Sequence, residues 1–257
     1  MPTLNELVDL ARGAGEILRA GMSRERQVFH KGVIDIVTDT DHRSEEYLIG
    51  EIQRRYPGHS IITEESGALP GQACCQWYTD PLDGTVNFAH GVPIFCVSIG
   101  YAEDGLQQLG VVYNPMTEEL FTAQAGQGAW LNGQPLQVSK AATLDQSLLV
   151  TGFPYDIRTN PANNLDLYNR FCMLTQGVRR LGSAALDLCW VAAGRFDGFW
   201  EIRLSSWDLA AGGLVAAEAG ALVTKINGDP HYLVPQCSIL AAPPALHAQM
   251  LDVIRAM

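Results

Sequence analysis

Basic residues are scarce in this chain: 17 Lys and Arg stand against 28 Asp and Glu, a formal charge of −11. No Lys/Arg stripe exists to neutralise a run of phosphates, so nucleic acid is not expected as a partner. Long apolar runs are also missing, as is any basic segment followed by an apolar one. A membrane partner and export are therefore not expected, and the cytoplasm is the expected compartment. The six cysteines, Cys74, Cys75, Cys96, Cys172, Cys189 and Cys237, show no C-x-x-C spacing and mostly sit in apolar runs, so they read as reduced core residues. Neither a G-x-S-x-G elbow nor a catalytic spacing among the histidines is found, which removes the serine hydrolases. No Pro/Ser/Gly-rich linker or low-complexity run divides the 257 residues, and 47% of them are apolar. Two lobes packed as one unit are expected.

What is present centres on Trp77 to Asn87, W-Y-T-D-P-L-D-G-T-V-N. Trp77, Tyr78 and Thr79 favour a strand, Pro81 keeps the residue before it out of the helical region, and Gly84 marks a sharp turn. Asp80 is expected to end the strand and Asp83 to start the turn. Beyond it, the amides of Gly84 and Thr85 can point outward together and attract an anion. Two acids beside a cluster of backbone donors make a grammar for metal-assisted phosphate binding, although Asp, Pro and Gly are also what plain turns are made of.

The rest of the chain alternates. Thr3 and Glu6 are spaced as a capping box for a first helix with Leu4, Leu7, Ala11, Ala14 and Leu18 on one face. Val28 to His30 and Ile36 to Thr38 read as strands flanking a loop. Asp39-Thr40-Asp41 reads as the cap of a helix that stops at Pro57-Gly58, with Asp39 as the N-cap. Ile61-Ile62 is a strand delivering Glu64 and Glu65. From Phe95 to Val138, short alternating runs separated by turn signals such as Asp104-Gly105 and Asn132-Gly133 predict an antiparallel meander. Gly126-Gln127-Gly128 lacks the third glycine and following helix of a dinucleotide loop. The second half predicts strands at 148–151, 178–181, 196–201, 221–224 and 238–241. Between them lie helices at 164–175, 184–194 and 207–220 and one from Pro243-Pro244 onward.

The run D-P-L-D-G-T-V-N-F resembles the signature of the inositol monophosphatase family of magnesium-dependent phosphatases. Four further motifs are similar to that family's: K-x-x-x-D-x-V-T-x-T-D from Lys31 to Asp41, T-E-E-S at Thr63, G-S-A-A at Gly182, and W-D-x-A-A-G at Trp207 with E-A-G at Glu218. The chain departs in carrying Thr63 for the usual Gly, Ala221 after Gly220, and no Pro before Trp207. The resemblance implies an α+β fold, a five-layer αβαβα sandwich of the inositol monophosphatase/fructose bisphosphatase type. Residues 1–140 would form an N-terminal lobe with the meander and most metal ligands, and 141–257 a C-terminal α/β lobe with substrate contacts and Asp208.

The resemblance also implies roles. Glu64, Asp80, the Leu82 carbonyl, Asp83 and Asp208 would hold two or three Mg²⁺ ions, replaceable by Mn²⁺; such an all-oxygen donor set suits these ions over Zn²⁺. Asp41, Thr85, Glu64 and Asp35 would be catalytic, with the Thr85 hydroxyl, bonded to Asp41, accepting the proton of an attacking water. Lys31, Asp83, Gly84, Thr85, Gly182, Ser183, Ala184, Glu201 and Asp208 would contact substrate. The expected reaction is metal-dependent hydrolysis of inositol monophosphate or a similar polyol phosphate by a lithium-sensitive homodimer. Fructose-1,6-bisphosphate, histidinol phosphate, a nucleotide 3′-phosphate or NADP would leave the same ligands in place. Two other classes remain beside it: a D-x-D phosphatase at Asp39-Thr40-Asp41 forming an aspartyl-phosphate, and a non-catalytic module that retains the fold.

Overall fold

The computed structural model describes residues 1–24 and 27–256. The chain opens with helix α1 (Leu4–Met22), which has the Thr3/Glu6 capping box, and a short hairpin, β1 (Val28–His30) and β2 (Ile36–Thr38). Helix α2 (Asp39–Arg55) follows, and its N-cap is Thr38 rather than Asp39. The Thr38 hydroxyl accepts from the Thr40 amide, and Asp41, three positions into the capping box, accepts from Thr38 in return.

Strands β3 (His59–Thr63), β4 (Gly67–Leu69), β5 (Gln72–Asp83), β6 (Cys96–Glu103), β7 (Leu106–Asn114), β8 (Glu119–Gln124), β9 (Gly128–Leu131) and β10 (Gln134–Pro135) form one sheet of order β10-β9-β8-β7-β6-β5-β3-β4. The meander is closed by Asp104-Gly105 and Asn132-Gly133, all four at positive φ, as tight two-residue hairpins require. β5 does not end at Asp80. It runs on to Asp83, because its pairing with β6 slips between Asp80 and Asp83 and so accommodates Pro81, which has no N–H to give the ladder. The six-residue helix α3 (Thr85–His90) follows at once.

The second sheet has order β12-β11-β13-β15-β14, from β11 (Leu148–Thr151), β12 (Gly177–Arg179), β13 (Gly198–Leu204), β14 (Leu222–Thr224) and β15 (Cys237–Ala242). β13 passes beyond Glu201 to Leu204, with an irregularity between them, so Glu201 lies inside the strand rather than at its end. Helices α4 (Leu165–Cys172), α5 (Ala184–Ala192), α6 (Ser206–Glu218) and α7 (Pro244–Arg255) complete the fold.

Four successive cores define five layers. Leu7, Leu18, Leu48 and Ile52 of α1 and α2 pack on Trp77, Val97 and Val111 of the first sheet. The opposite face, through Val112 and Phe121, meets Leu186 of α5 and Val215 of α6. Those helices turn Leu188 and Leu209 to Val150, Phe199 and Ile239 of the second sheet. Its far face, with Trp200 and Leu240, is closed by Phe171 of α4 and Met250 of α7. The fold is thus the αβαβα sandwich. Both faces of β6 and β7, the middle of the meander, are covered within the chain. Three cysteines, Cys96, Cys189 and Cys237, are core residues, whereas Cys74 and Cys172 are exposed and Cys75 is half-buried. Cys74 and Cys75 lie near the exposed start of β5, and Cys172 is the last residue of α4. No helix among the described residues is long and apolar enough to cross a membrane.

Close approach of α6 to the first sheet depends on small residues. Gly100 and Gly110 pair across β6 and β7. A Cβ at Gly110 would lie 2.8 Å from the Ala211 carbonyl oxygen, and one at Gly100 would lie 2.8 Å from the Ala210 Cβ. Gly50, on α2, has nothing within 4 Å of such a Cβ. The same Gly→Ala change is therefore predicted to act with opposite sign at the two sites. Gly110→Ala should destabilise by about 1–3 kcal/mol through overpacking, and Gly50→Ala should stabilise by about 0.5–1 kcal/mol through helix propensity. Thermal unfolding of the two variants checks this, and equal shifts would refute the packing account.

Candidate active site

The bend from β5 into α3, the start of α5, the middle of β13 and the start of α6 converge on one cavity of about 540 Å³. Lys31, Asp35, Glu64, Asp80, Leu82, Asp83, Gly84, Thr85, Gly182, Ser183, Ala184, Glu201 and Asp208 all line it. Asp41 lies behind this wall, fully buried, and reaches it through Thr85.

Each acid is placed by local structure. Asp80 accepts from the Leu82 amide at 3.0 Å. Asp83 accepts from the Ser183 hydroxyl at 2.6 Å and from the Ala185 and Ala184 amides at 2.8 and 3.3 Å. The free N–H groups at the start of α5 are thereby spent on a carboxylate, the charge a helix N-terminus favours. Asp208, third residue of α6, accepts from the Ser205 amide at 2.7 Å in a capping box. Thr85 Oγ1 lies 2.9 Å from Asp41 Oδ1 and 3.1 Å from the Leu82 carbonyl. The amides of Gly84 and Thr85 meet no acceptor among the described residues and border the cavity.

The electrostatics are those of anions crowded out of water. Burial pushes the Asp80 carboxyl well up, and Glu64, Asp83 and Asp208 add to it by repulsion. Burial, with Asp83 beside it, raises Asp208 to about 7 against the Ser205 hydrogen bond. Glu64 is raised to about 8 by burial, Lys31 opposing and Glu65, Asp208 and Asp41 assisting. Among the described residues these acids make one ion-pair contact, Lys31 Nζ at 3.3 Å from Glu64 and 2.5 Å from Glu65. Burial works against the Lys31 charge, but the two glutamates hold its pKa above the ordinary range.

Several lining or supporting residues had no place in the sequence reading: Tyr155, Arg180, Asp187, Arg203 and, behind the wall, Glu45. A signal existed for two. Asp41, Ser44, Glu45, Leu48 and Ile52 share the buried face of α2, so Glu45 is a charge at an inward position. Asp187 likewise interrupts the apolar run of α5. Arg180 and Arg203 carry no such sequence signal, because exposed arginines are ordinary.

Could this donor set hold a cation? No three His, Cys, Asp or Glu among the described residues are grouped as a ready-made ion cage. Mg²⁺ does not demand one, since it keeps waters and is bound through one or two carboxylates together with substrate phosphate. Glu64, Asp80, Asp83 and Asp208, all oxygen donors and largely without a cationic partner, fit such an ion. Asp83 retains lone pairs after its hydrogen bonds.

A five-layer αβαβα sandwich with a carboxylate-lined cavity at its centre is the architecture of metal-dependent phosphatases. Residues 2–256 match the family model described as the inositol monophosphatase family. The chain is 44% identical over 245 residues to the protein called Nus factor SuhB of Pasteurella multocida, covering 94% of this chain and 92% of that one. It is 45% identical over 250 residues to the inositol-1-monophosphatase of Synechocystis, covering 95% and 85%. The solved inositol monophosphatase of Anabaena superposes with a TM-score of 0.90 at 42% identity, covering 99% of this chain and 95% of that one. The chain belongs to the inositol monophosphatase family. It is a phosphatase, a phosphoric monoester hydrolase, of a family that is generally metal-dependent with Mg²⁺ typical.

Glu45 anchors the turn that carries Glu64. Its Oε1 accepts from the Thr63 hydroxyl at 2.7 Å and the Glu65 and Ser66 amides at 3.0 and 3.2 Å, and its Oε2 from the Ser66 hydroxyl at 2.6 Å. Glu45→Ala would strand these donors and should cost about 2–4 kcal/mol, with Glu45→Gln intermediate. Calorimetric unfolding is the check, and a melting temperature equal to that of wild type would show that the turn holds itself.

Proposed function

We propose that this phosphatase acts on the monophosphate of a small polyol, with inositol monophosphate as the reference substrate. Glu64, Asp80, the Leu82 carbonyl, Asp83 and Asp208 would hold two or three Mg²⁺ ions, or Mn²⁺ in their place. The observation that carries the reading is the convergence of four metal-competent carboxylates and the Thr85–Asp41 pair on one cavity. A D-x-D mechanism forming an aspartyl-phosphate at Asp39 is not supported, because Asp39 lies outside the cavity lining.

Bound ions would polarise the phosphate and make a water acidic enough to attack. The chain's residues supply the rest. Gly84 and Thr85 offer unused N–H groups to the phosphate oxygens. The Thr85 hydroxyl, held by Asp41, takes a proton from the attacking water while passing its own to Asp41. Asp41 suits that task, because burial raises its pKa even though Thr38 and Thr85 hydrogen bonds oppose the shift. Lys31 and Asp35, on the loop between β1 and β2, cover the phosphate end, and Lys31 limits the repulsion at Glu64. As water forms its bond to phosphorus, the bond to the alcohol oxygen breaks, and that oxygen takes up a proton from solvent water as the alcohol departs toward Glu201.

Metal binding and proton transfer should separate on substitution. Asp80→Asn is predicted to lose both metal affinity and activity even at saturating Mg²⁺. Thr85→Ala should bind metal normally while kcat falls roughly 10²- to 10⁴-fold, and Asp41→Asn should match it without adding to it. Calorimetric metal titration with kcat on inositol monophosphate decides the point, with EDTA abolishing and Li⁺ inhibiting wild type. Full turnover in EDTA, or metal loss in Thr85→Ala, would overturn the assignment.

The same proposal has the enzyme act as a cytoplasmic homodimer. The Nus factor name borne by relatives brings a second reading, an additional contact with transcription components, and the charge of −11 favours a protein over RNA as that contact. Light scattering at micromolar concentration should give twice the 28.0 kDa chain mass, unchanged by added RNA. A monomer mass would reject the dimer, and a mass increase with RNA would reject the charge argument.

A further inference from the structure

At the leaving-group end of the cavity, beside Glu201, stand two groups that the reaction, as argued, does not use: Asp187 and Arg180. Asp187 is 1% exposed, borders the cavity, and its Oδ1 has no hydrogen-bond partner. Keeping a buried carboxylate oxygen without a donor is costly, and such a site needs a reason. Glu201 is 6% exposed and likewise accepts no hydrogen bond from any described residue. Room for it comes from Gly152, where a Cβ would lie 2.1 Å from the Glu201 Oε2. Arg180 lines the same cavity, arching over Gly182 so that a Cβ there would be 2.7 Å from its Nη1. It forms no ion pair with any described residue, yet its charge acts on both Asp187 and Glu201.

Two acceptors and one forked donor, lining one cavity without pairing, complement an alcohol. A hydroxyl has one O–H to give and lone pairs to receive with, so it can sit between a carboxylate and a guanidinium and satisfy both. Neighbouring hydroxyls can divide between the two carboxylates. A second phosphate fits worse, since it would face Asp187 and Glu201 together, and an amine would face Arg180. The last side-chain torsion of Asp is broad and nearly two-fold, so either oxygen of Asp187 can be turned to a ligand.

We propose that Asp187 and Arg180, with Glu201, form a subsite that reads adjacent hydroxyl groups on the leaving alcohol. Asp187 is the residue that separates a polyol phosphate from the ester of a simple alcohol. The proposal rests on the polyol-monophosphate reading above.

The test compares inositol monophosphate, a deoxy analogue lacking one adjacent hydroxyl, and p-nitrophenyl phosphate on wild type, Asp187→Asn and Arg180→Gln. Asp187→Asn should lower kcat/KM on inositol monophosphate roughly 10- to 100-fold, mostly in KM, and change p-nitrophenyl phosphate turnover by less than about 2-fold. The deoxy analogue should erase the difference between wild type and variant. As a readout independent of turnover, the unhydrolysed phosphonate of the same polyol should raise the melting temperature of wild type but not of Asp187→Asn. Equal losses on all three esters, or no loss on any, would overturn the subsite. Should Asp187→Asn not fold, Arg180→Gln, an exposed position, decides by the same ratio. If wild type hydrolyses p-nitrophenyl phosphate but no polyol phosphate, the polyol reading itself falls and takes the subsite with it.

Discussion

One contact ties the two halves of the chain together at the cavity: the Asp83 carboxylate against the first turn of α5. Asp83 ends a strand of the first sheet, and Ser183, Ala184 and Ala185, a hundred residues later, give it three hydrogen bonds. Hydrogen bonds to a charged acceptor at a helix N-terminus are among the stronger ones a protein makes. Prising the sheet from the helix layer would expose both a buried anion and the helix's free amides. The cavity therefore has a fixed wall, and Lys31, on the loop between β1 and β2, reaches Glu64 on its lining.

That arrangement also sets the chemistry. Asp80 and Asp83 are buried, and half-buried Asp208 and Glu64 are brought beside them, so four carboxylates crowd one cavity. Repulsion and desolvation raise each proton affinity, and a divalent cation among them would reverse both effects. Lys31 relieves only the Glu64 side. Membership in a family with Mg²⁺ as its typical metal thus has a local physical counterpart in carboxylates that lack enough positive charge.

The residues that make the motifs recognisable divide into two kinds. In W-D-L-A-A-G-G, Trp207 and Asp208 face the cavity, while the small residues serve packing. Ala210 and Ala211 rest on the Gly100–Gly110 floor, a Cβ at Gly212 would meet Leu188 of α5, and one at Gly213 would meet Tyr232. Glu218 is likewise structural: it accepts the Gly126 and Gly128 amides at 2.8 Å each and so fastens the meander to α6. The helix can aim Asp208 because its other side chains are small enough to let it settle between two sheets.

Sequence alone determined the elements whose signals are local. Helix periodicity placed α1 and α2, turn pairs placed the meander, and short motifs placed the acids at strand ends and helix starts, since these depend on neighbours a few positions away. It misjudged features set by distant partners. Whether β5 ends at Asp80 depends on its pairing with β6, whether Cys74 is covered depends on what packs above it, and Thr38 rather than Asp39 caps α2 because of how the chain enters that helix. Only the tertiary structure brought Asp187, Arg180 and Glu45 to the cavity and its wall, and only it showed that the amides at the start of α5 serve Asp83. A side chain's partners are chosen by the packing of layers, and residues a hundred positions apart meet there without leaving any mark of the meeting in the chain between them.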